Sequence, residues 1–267
     1  MKTNYFTSHK NLIEPNKALG KKQLATALRQ DGLSGVMSDK EIAALYNSGD
    51  IIIHPLATGD ISRIKGSSID LRLGKFYFRV GQNYHEKYLN AFDKKSINDY
   101  FGPYQSAIPH DLWCQQNKAK PFKGISKDSL IIVLAPGERI LGHTHEFVGI
   151  SSGIGTSSMY ARSSSGRLGL AVCGDSGWGD PGYINRWALE ISNNNPYHTP
   201  LVVGARYMQI VFYWTGIVEQ DYGKIGNYQS STSLQELIDN WHPNKLLPNI
   251  LQTEGDMLEP LDIDNKF

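Results

Sequence analysis

Short runs of β-branched and aromatic residues, broken every few positions by Gly, Pro or a polar pair, dominate the middle of the chain: Ile51-Ile52-Ile53, Ser68 to Leu73 and Phe76 to Val80. Such runs predict strands, because branched and ring side chains pack well on a pleated, half-buried surface. The pattern returns at Leu130 to Leu134, Arg139 to Leu141 and Phe147 to Ile150, with Pro136-Gly137 supplying a turn between the first two. It returns again at Trp187 to Ile191, Leu201 to Val203 and Met208 to Trp214. Helical periodicity is confined to short pieces. Ser38-Asp39-Lys40-Glu41 puts a hydroxyl at a helix N-cap and a carboxylate three residues later where it reaches back, ahead of Ile42, Ala43, Leu45 and Tyr46; Gly49 terminates the helix. Two more short helices are predicted, around Lys21 to Gln30 and over Ser233 to Trp241. Residues 1–36 are polar and weakly patterned and read as an N-terminal extension, and Gly81 to Gly124 has no clear period and reads as an insertion of unassigned structure. The chain therefore reads as one mostly β domain over residues 37–232 with the insertion at about 81–124, followed by a C-terminal helix and acidic tail over 233–267.

Composition narrows the function classes. A chain of 267 residues with 40% hydrophobic and 20% charged residues has enough apolar material for one sizeable core. Lys+Arg 27 against Asp+Glu 26 leaves a net charge of +1, so no general attraction to nucleic acid or to an anionic membrane is expected. Any phosphate must be held locally. The first residues hold no basic segment leading into an apolar run, and no apolar stretch approaches the roughly 20 residues that span a bilayer. A cytoplasmic protein is expected, with Cys114 and Cys173 as reduced thiols.

Candidate chemistry concentrates between residues 162 and 190. Arg162 and Arg167 bracket Ser163, Ser164, Ser165 and Gly166, a set that offers guanidinium forks, hydroxyl donors and close backbone approach to a phosphate chain; the plainer reading is a solvated Ser-Gly loop. Asp180 precedes a Pro-Gly turn, and Glu190 lies between Leu189 and Ile191 in an alternating run, where an acid either faces solvent or is a paired, perturbed carboxylate. His143 and His145 share one face of a strand, yet with no third ligand and no Cys-x-x-Cys they read as ordinary surface histidines, and no zinc or other protein-bound metal is expected.

Arg162 to Leu170, Ser176-Gly177-Trp178-Gly179-Asp180-Pro181-Gly182-Tyr183 and Ala188-Leu189-Glu190 together resemble the dCTP deaminase branch of the dUTPase superfamily, including its bifunctional dCTP deaminase/dUTP diphosphatase members. Met37 to Ile42, Gly66 to Gly74, Leu134 to Glu138, Gly204 to Phe212, and Tyr222 with Asn227-Tyr228-Gln229 extend the resemblance in order along the chain. It implies an all-β fold, a β-clip or distorted jelly roll with short peripheral helices, assembled as a homotrimer with sites between subunits. It also implies roles: Glu190 as catalytic carboxylate, Ser163 and Arg167 as groups that position the attacking water, Arg162 and Ser164 as triphosphate contacts, and Asp180 as the acid that holds the deoxyribose 3′-hydroxyl and helps activate water. Ser165, Gly166, Ser176, Trp178 and Tyr183 join the substrate surroundings, Ala188 and Leu189 line the base, and Tyr222, Tyr228 and Gln229 belong to a closing tail. Asn227 stands where many members carry Lys, which shifts a phosphate contact to Lys224 or removes it.

The chemistry fits those roles. Replacing the 4-amino group of cytosine by oxygen requires a nucleophilic water, a proton on the ring nitrogen and a protonated leaving amine, and one carboxylate shuttles all three if it touches water and base. Zinc deaminases instead activate water on a metal held by His and Cys. The leading expectation is hydrolysis of dCTP to dUTP and ammonia, with Mg2+ entering only through the triphosphate oxygens and dTTP as a candidate feedback inhibitor. Two alternatives stay open: a bifunctional enzyme or dUTP diphosphatase releasing dUMP and pyrophosphate, and a non-catalytic nucleotide-binding paralogue.

Overall fold

Where the sequence places a capping box, the chain has one. The Ser38 hydroxyl accepts from the Glu41 backbone N–H, and the Glu41 carboxylate accepts from the Ser38 N–H at 2.7 Å, which starts helix α1 (Asp39–Ser48). Gly49 ends it at φ 85°, a left-handed conformation that favours glycine. A cap stabilises by about 1 kcal/mol, whereas burying Ile42 and Leu45 contributes roughly 1.5–3 kcal/mol each. Core packing, more than the cap, therefore holds the helix.

The structure is a computed structural model that describes residues 35–56, 64–151, 153–174, 176–215, 218–220, 222–229 and 231–250. The helix expected around Lys21 to Gln30 lies outside them, as does the end of the tail. The first strands are β1 (Gly35–Val36), β2 (Ile51–His54), β3 (Ile64–Lys65), β4 (Ser68–Arg72), β5 (Phe76–Arg79), β6 (Gln105–Ser106), β7 (Ile108–Pro109), β8 (Leu130–Leu134) and β9 (Arg139–His143). The later ones are β10 (Phe147–Ile150), β11 (Gly155–Ala161), β12 (Leu170–Ala171), β13 (Trp178–Gly179), β14 (Ile184–Asn185), β15 (Ala188–Asn193), β16 (Thr199–Val202) and β17 (Arg206–Trp214). They form four sheets, ordered β13-β11-β17-β4-β3 with β1 also on β17, β14-β10-β2, β12-β15-β9-β5-β6, and β16-β8-β7. The result is an all-β, jelly-roll-like fold around one main core, in which Leu71, Leu134, Val148, Leu189, Ile210 and Phe212 are fully buried.

Strand β11 escaped the sequence pattern, yet it is central. It pairs with β17 from Gly155 opposite Trp214 to Ala161 opposite Met208, and with β13 on its other side. Small residues suit this crowded position: the Trp187 ring lies against Gly179 of β13 where any Cβ would stand, and Thr156 Oγ1 donates to Gly179 O at 2.5 Å.

The unpatterned segment 81–124 holds helices α2 (Lys94–Phe101) and α3 (His110–Asn117), while β6 adds to β5 and β7 to β8 at the sheet edges. Three short helices follow later: α4 (Ser163–Arg167), α5 (Tyr222–Ile225) and α6 (Leu234–Asp239), the last capped by the Ser233 side chain and shorter than the expected span of Ser233 to Trp241.

His143 corrects the sequence reading. It is 1% exposed, not a surface residue. Its Nδ1 donates to Thr144 O at 2.7 Å, its Nε2 accepts from the Phe76 N–H at 3.2 Å, and its ring stacks on Phe76 and lies 4.8 Å from the Trp241 ring. Both nitrogens are committed in the neutral form, and burial lowers the His143 pKa from 6.5 to about 3. The unfolded chain therefore binds one more proton than the folded chain between about pH 3 and 6.5. Stability from this group is present above pH 6.5 and is lost as pH falls through that window, with a slope approaching about 1.4 kcal/mol per pH unit. Urea melts at stepped pH test this: His143→Gln should flatten that part of the curve, and an unchanged slope would exclude His143 as its source.

Candidate active site

Strand β15 carries the site. Its burial alternates, so Leu189, Ile191 and Asn193 enter the core while Ala188, Glu190 and Ser192 turn to the other face. Glu190 lies opposite Leu141 of β9 and opens onto a cavity of about 460 Å3. Its Oε2 is buried and has no hydrogen-bond partner among the described residues. A carboxylate oxygen removed from water without a donor is costly, and sites that bind or transform ligands are where such a cost is retained.

Asp180, Ser176 and Trp178 line the same cavity, and the Trp178 indole N–H donates to Asp180 Oδ1 at 3.2 Å. Tyr183, Tyr222, Tyr228 and Ala188 line it too. The Tyr183 ring stands edge-on to Trp187 at 5.2 Å and to Tyr222 at 5.1 Å, and burial pushes its hydroxyl well above the ordinary tyrosine range. Cys173 is half-buried, and burial together with the nearby Glu190 charge pushes its thiol up to about 12. It stays a neutral thiol at neutral pH and supplies no thiolate nucleophile.

Other residues singled out in the sequence lie elsewhere. The Leu189 side chain is fully buried in the core. The Arg162 to Arg167 loop, which forms α4, does not line the cavity of its own chain. Arg162 is paired through Nε with Asp70 Oδ1 at 3.0 Å, and the buried Ser165 hydroxyl donates to Tyr207 O. Ser163, Ser164, Gly166 and Arg167 are exposed. Gln229 is buried and fastens the tail to β14 and the turn before it: its Oε1 accepts from Ile184 N at 2.7 Å and its Nε2 donates to Gly182 O at 3.1 Å. Asn185 Nδ2 adds a bond to Tyr228 O. The Lys224 side chain lies outside the described residues.

Sequence reasoning missed part of the wall. Phe101 of α2, Arg186, Trp241, Lys245, Leu246 and Pro248 also face the cavity. The unusual bulk of Arg186-Trp187 was a visible signal, while nothing in the sequence pointed to the segment after α6. Among the described residues no group of three His, Cys, Asp or Glu side chains is placed to hold a metal ion, and no helix is long and apolar enough to cross a membrane.

A family model described as dCTP deaminase-like matches residues 36–215. The chain belongs to the dCTP deaminase family. A relative from Methanopyrus kandleri named "dCTP deaminase, dUMP-forming" is 31% identical over 179 residues, 67% of this chain and 81% of the relative. One of the same name from Dictyoglomus thermophilum is 32% identical over 180 residues, 67% of this chain and 79% of the relative. A solved 2′-deoxycytidine 5′-triphosphate deaminase from Agrobacterium tumefaciens is similar at 21% identity and a TM-score of 0.44, over 68% of this chain and 49% of the other. The dCTP deaminase-like match contains all of β15 and the α4 loop, but ends before the tail and before Trp241, Lys245 and Leu246.

Proposed function

We propose that the protein deaminates dCTP and carries the nucleotide on to dUMP. The observation that supports this most is the unpartnered Oε2 of Glu190 in a cavity that Asp180 also lines. In this reading Glu190 takes a proton from water as the oxygen adds to C4 of cytosine and passes it to N3, then takes the proton of the new C4 hydroxyl and gives it to the amine as the C4–N bond breaks and the carbonyl forms, so that dCTP and water give dUTP and ammonia. Asp180 holds the 3′-hydroxyl and orients a second water toward the α-phosphate, giving dUMP and pyrophosphate. The retained Asp180, the Gly177-Trp178 that precedes it and the names of the two relatives favour the dUMP-forming route over deamination alone. Mg2+ enters with the nucleotide as a partner of its phosphate oxygens, and the water is activated by a carboxylate without zinc.

The exposed α4 loop favours a shared site. Ser163, Ser164 and Arg167 are absent from their own chain's cavity, and in a homotrimer they would complete a neighbour's.

Incubating the purified protein with dCTP or dUTP and following ammonia and pyrophosphate separately tests the reading. Asp180→Asn should depress pyrophosphate release at least as strongly as ammonia release, because an amide holds a hydroxyl yet is a poor base. Ammonia without pyrophosphate from the wild type, with Mg2+ present, would leave a deaminase alone; neither product would defeat the proposal.

A further inference from the structure

Arg186 also lines the Glu190 cavity, and its Nε is buried without a hydrogen-bond partner among the described residues. The alternation of burial along β15 continues back through Trp187 to Arg186, so Arg186, Ala188 and Glu190 form one row facing the cavity. At the strand rise of roughly 3.3 Å per residue, the Cα atoms at the two ends of this row are about 13 Å apart.

The Arg186 guanidinium is inserted between two rings, 4.9 Å from the centre of Phe147 and 4.5 Å from that of Trp241. Among the described residues it forms no hydrogen bond and no ion pair; only its backbone N–H is used, donating to Asn185 Oδ1 at 2.8 Å. Burial disfavours its charge, and the acid that acts on it electrostatically, Glu146, is already bound by Arg72 through Nε at 2.6 Å and the backbone N–H at 3.0 Å. Aromatic faces offset the charge but offer no lone pair to five N–H donors held in a fixed plane. The protein thus presents, at opposite ends of one row, a guanidinium whose Nε is buried and unpaired and a carboxylate whose Oε2 is buried and unpaired among the described residues.

The two ends call for a ligand with matching edges. On the proposed function, on which this inference rests, Glu190 meets the amino edge of the base. Ala188, assigned to the base, stands between Arg186 and Glu190 in the same row, which makes the row the base side of the site. We infer that Arg186 is a specificity-determining residue whose guanidinium donates to an oxygen on the nucleobase, either the ring carbonyl or an oxygen-bearing ring substituent, at the end of the cavity remote from Glu190. The Trp241 ring that steadies it comes from beyond the family match, so this selectivity is tied to the chain's own C-terminal segment.

The test compares Arg186→Lys and Arg186→Met with the wild type. Lys keeps a cation between the rings but loses the planar fork. Dissociation constants by calorimetry, with kcat and KM, are measured for dCTP, 5-methyl-dCTP and 5-hydroxymethyl-dCTP, together with binding of the abasic probe 2-deoxyribose 5-triphosphate. Both variants should bind the base-bearing nucleotides about tenfold or more weakly, the loss of one charged hydrogen bond, with the abasic probe unchanged and kcat within a few-fold. A loss shared by all three nucleotides assigns the ring carbonyl; a loss concentrated on 5-hydroxymethyl-dCTP assigns the substituent. Unchanged affinities would overturn the inference, as would an equal loss on the abasic probe or a Lys variant that melts far below wild type, since either makes Arg186 merely structural. Wild-type protein that deaminates dCTP while both variants match it defeats this inference alone; wild-type protein that binds no base-bearing nucleotide defeats the proposed function and this inference with it.

Discussion

Glu190→Gln should leave the chain folded and able to bind dCTP while slowing ammonia release by about 10²–10⁴-fold, the usual cost of losing a positioned general base. The amide preserves the shape of the side chain between Ala188 and Ser192 on the cavity face of β15, but it does not accept and return a proton. No neighbour compensates easily, because the Cys173 thiol beside it is held neutral and Asp180 is engaged by the Trp178 indole. Single-turnover ammonia release, measured alongside calorimetric dCTP binding, separates the two effects. Turnover within a few-fold of wild type would remove Glu190 from the mechanism; loss of binding together with turnover would make it a binding group.

Mixing inactive variants should restore activity. If Ser163 and Arg167 of one subunit complete the Glu190 cavity of another, Arg167→Ala and Glu190→Gln are each inactive alone. Randomly mixed trimers then contain intact sites at about one in four, the product of two even odds under cyclic symmetry. The basis is the exposure of the α4 loop and its absence from its own cavity. Co-expression of the two variants, with light scattering to establish a trimer, makes the measurement. Activity no higher than the single variants, or a fully active monomer, would end the shared-site arrangement.

What was legible in the sequence was local. The capping box before α1 needs only residues 38–49, and β8 and β10 fall where continuous apolar runs place them, because a strand buried on both faces announces itself by composition. Strand β11 did not. Gly155, Thr156, Ser157 and Ser158 carry no apolar pattern, and their burial is imposed by β13 and β17, which lie far away in the sequence. His143 was misread for the same reason: Phe76 and Trp241, which enclose it, are distant along the chain. In the site, the motif residues Asp180, Tyr183, Ala188 and Glu190 do converge on one cavity. The bulk of Arg186-Trp187 is legible in the sequence, but the rings around Arg186 are not, because Phe147 and Trp241 come to it from different elements.

The two faces of β15 set a limit on how the chain can change over time. Leu189 and Glu190 are neighbours in the chain but face opposite ways, one into the main core and the other into the cavity. Losing one residue upstream of them within the strand exchanges those faces, delivering a carboxylate to the hydrophobic interior and a leucine to the ligand. Point substitutions at Ala188 alter what the cavity meets without exchanging the two faces of the strand. A one-residue insertion or deletion within β15 therefore costs the core and the cavity together, whereas a single side-chain replacement on the cavity face changes ligand choice without shifting the register.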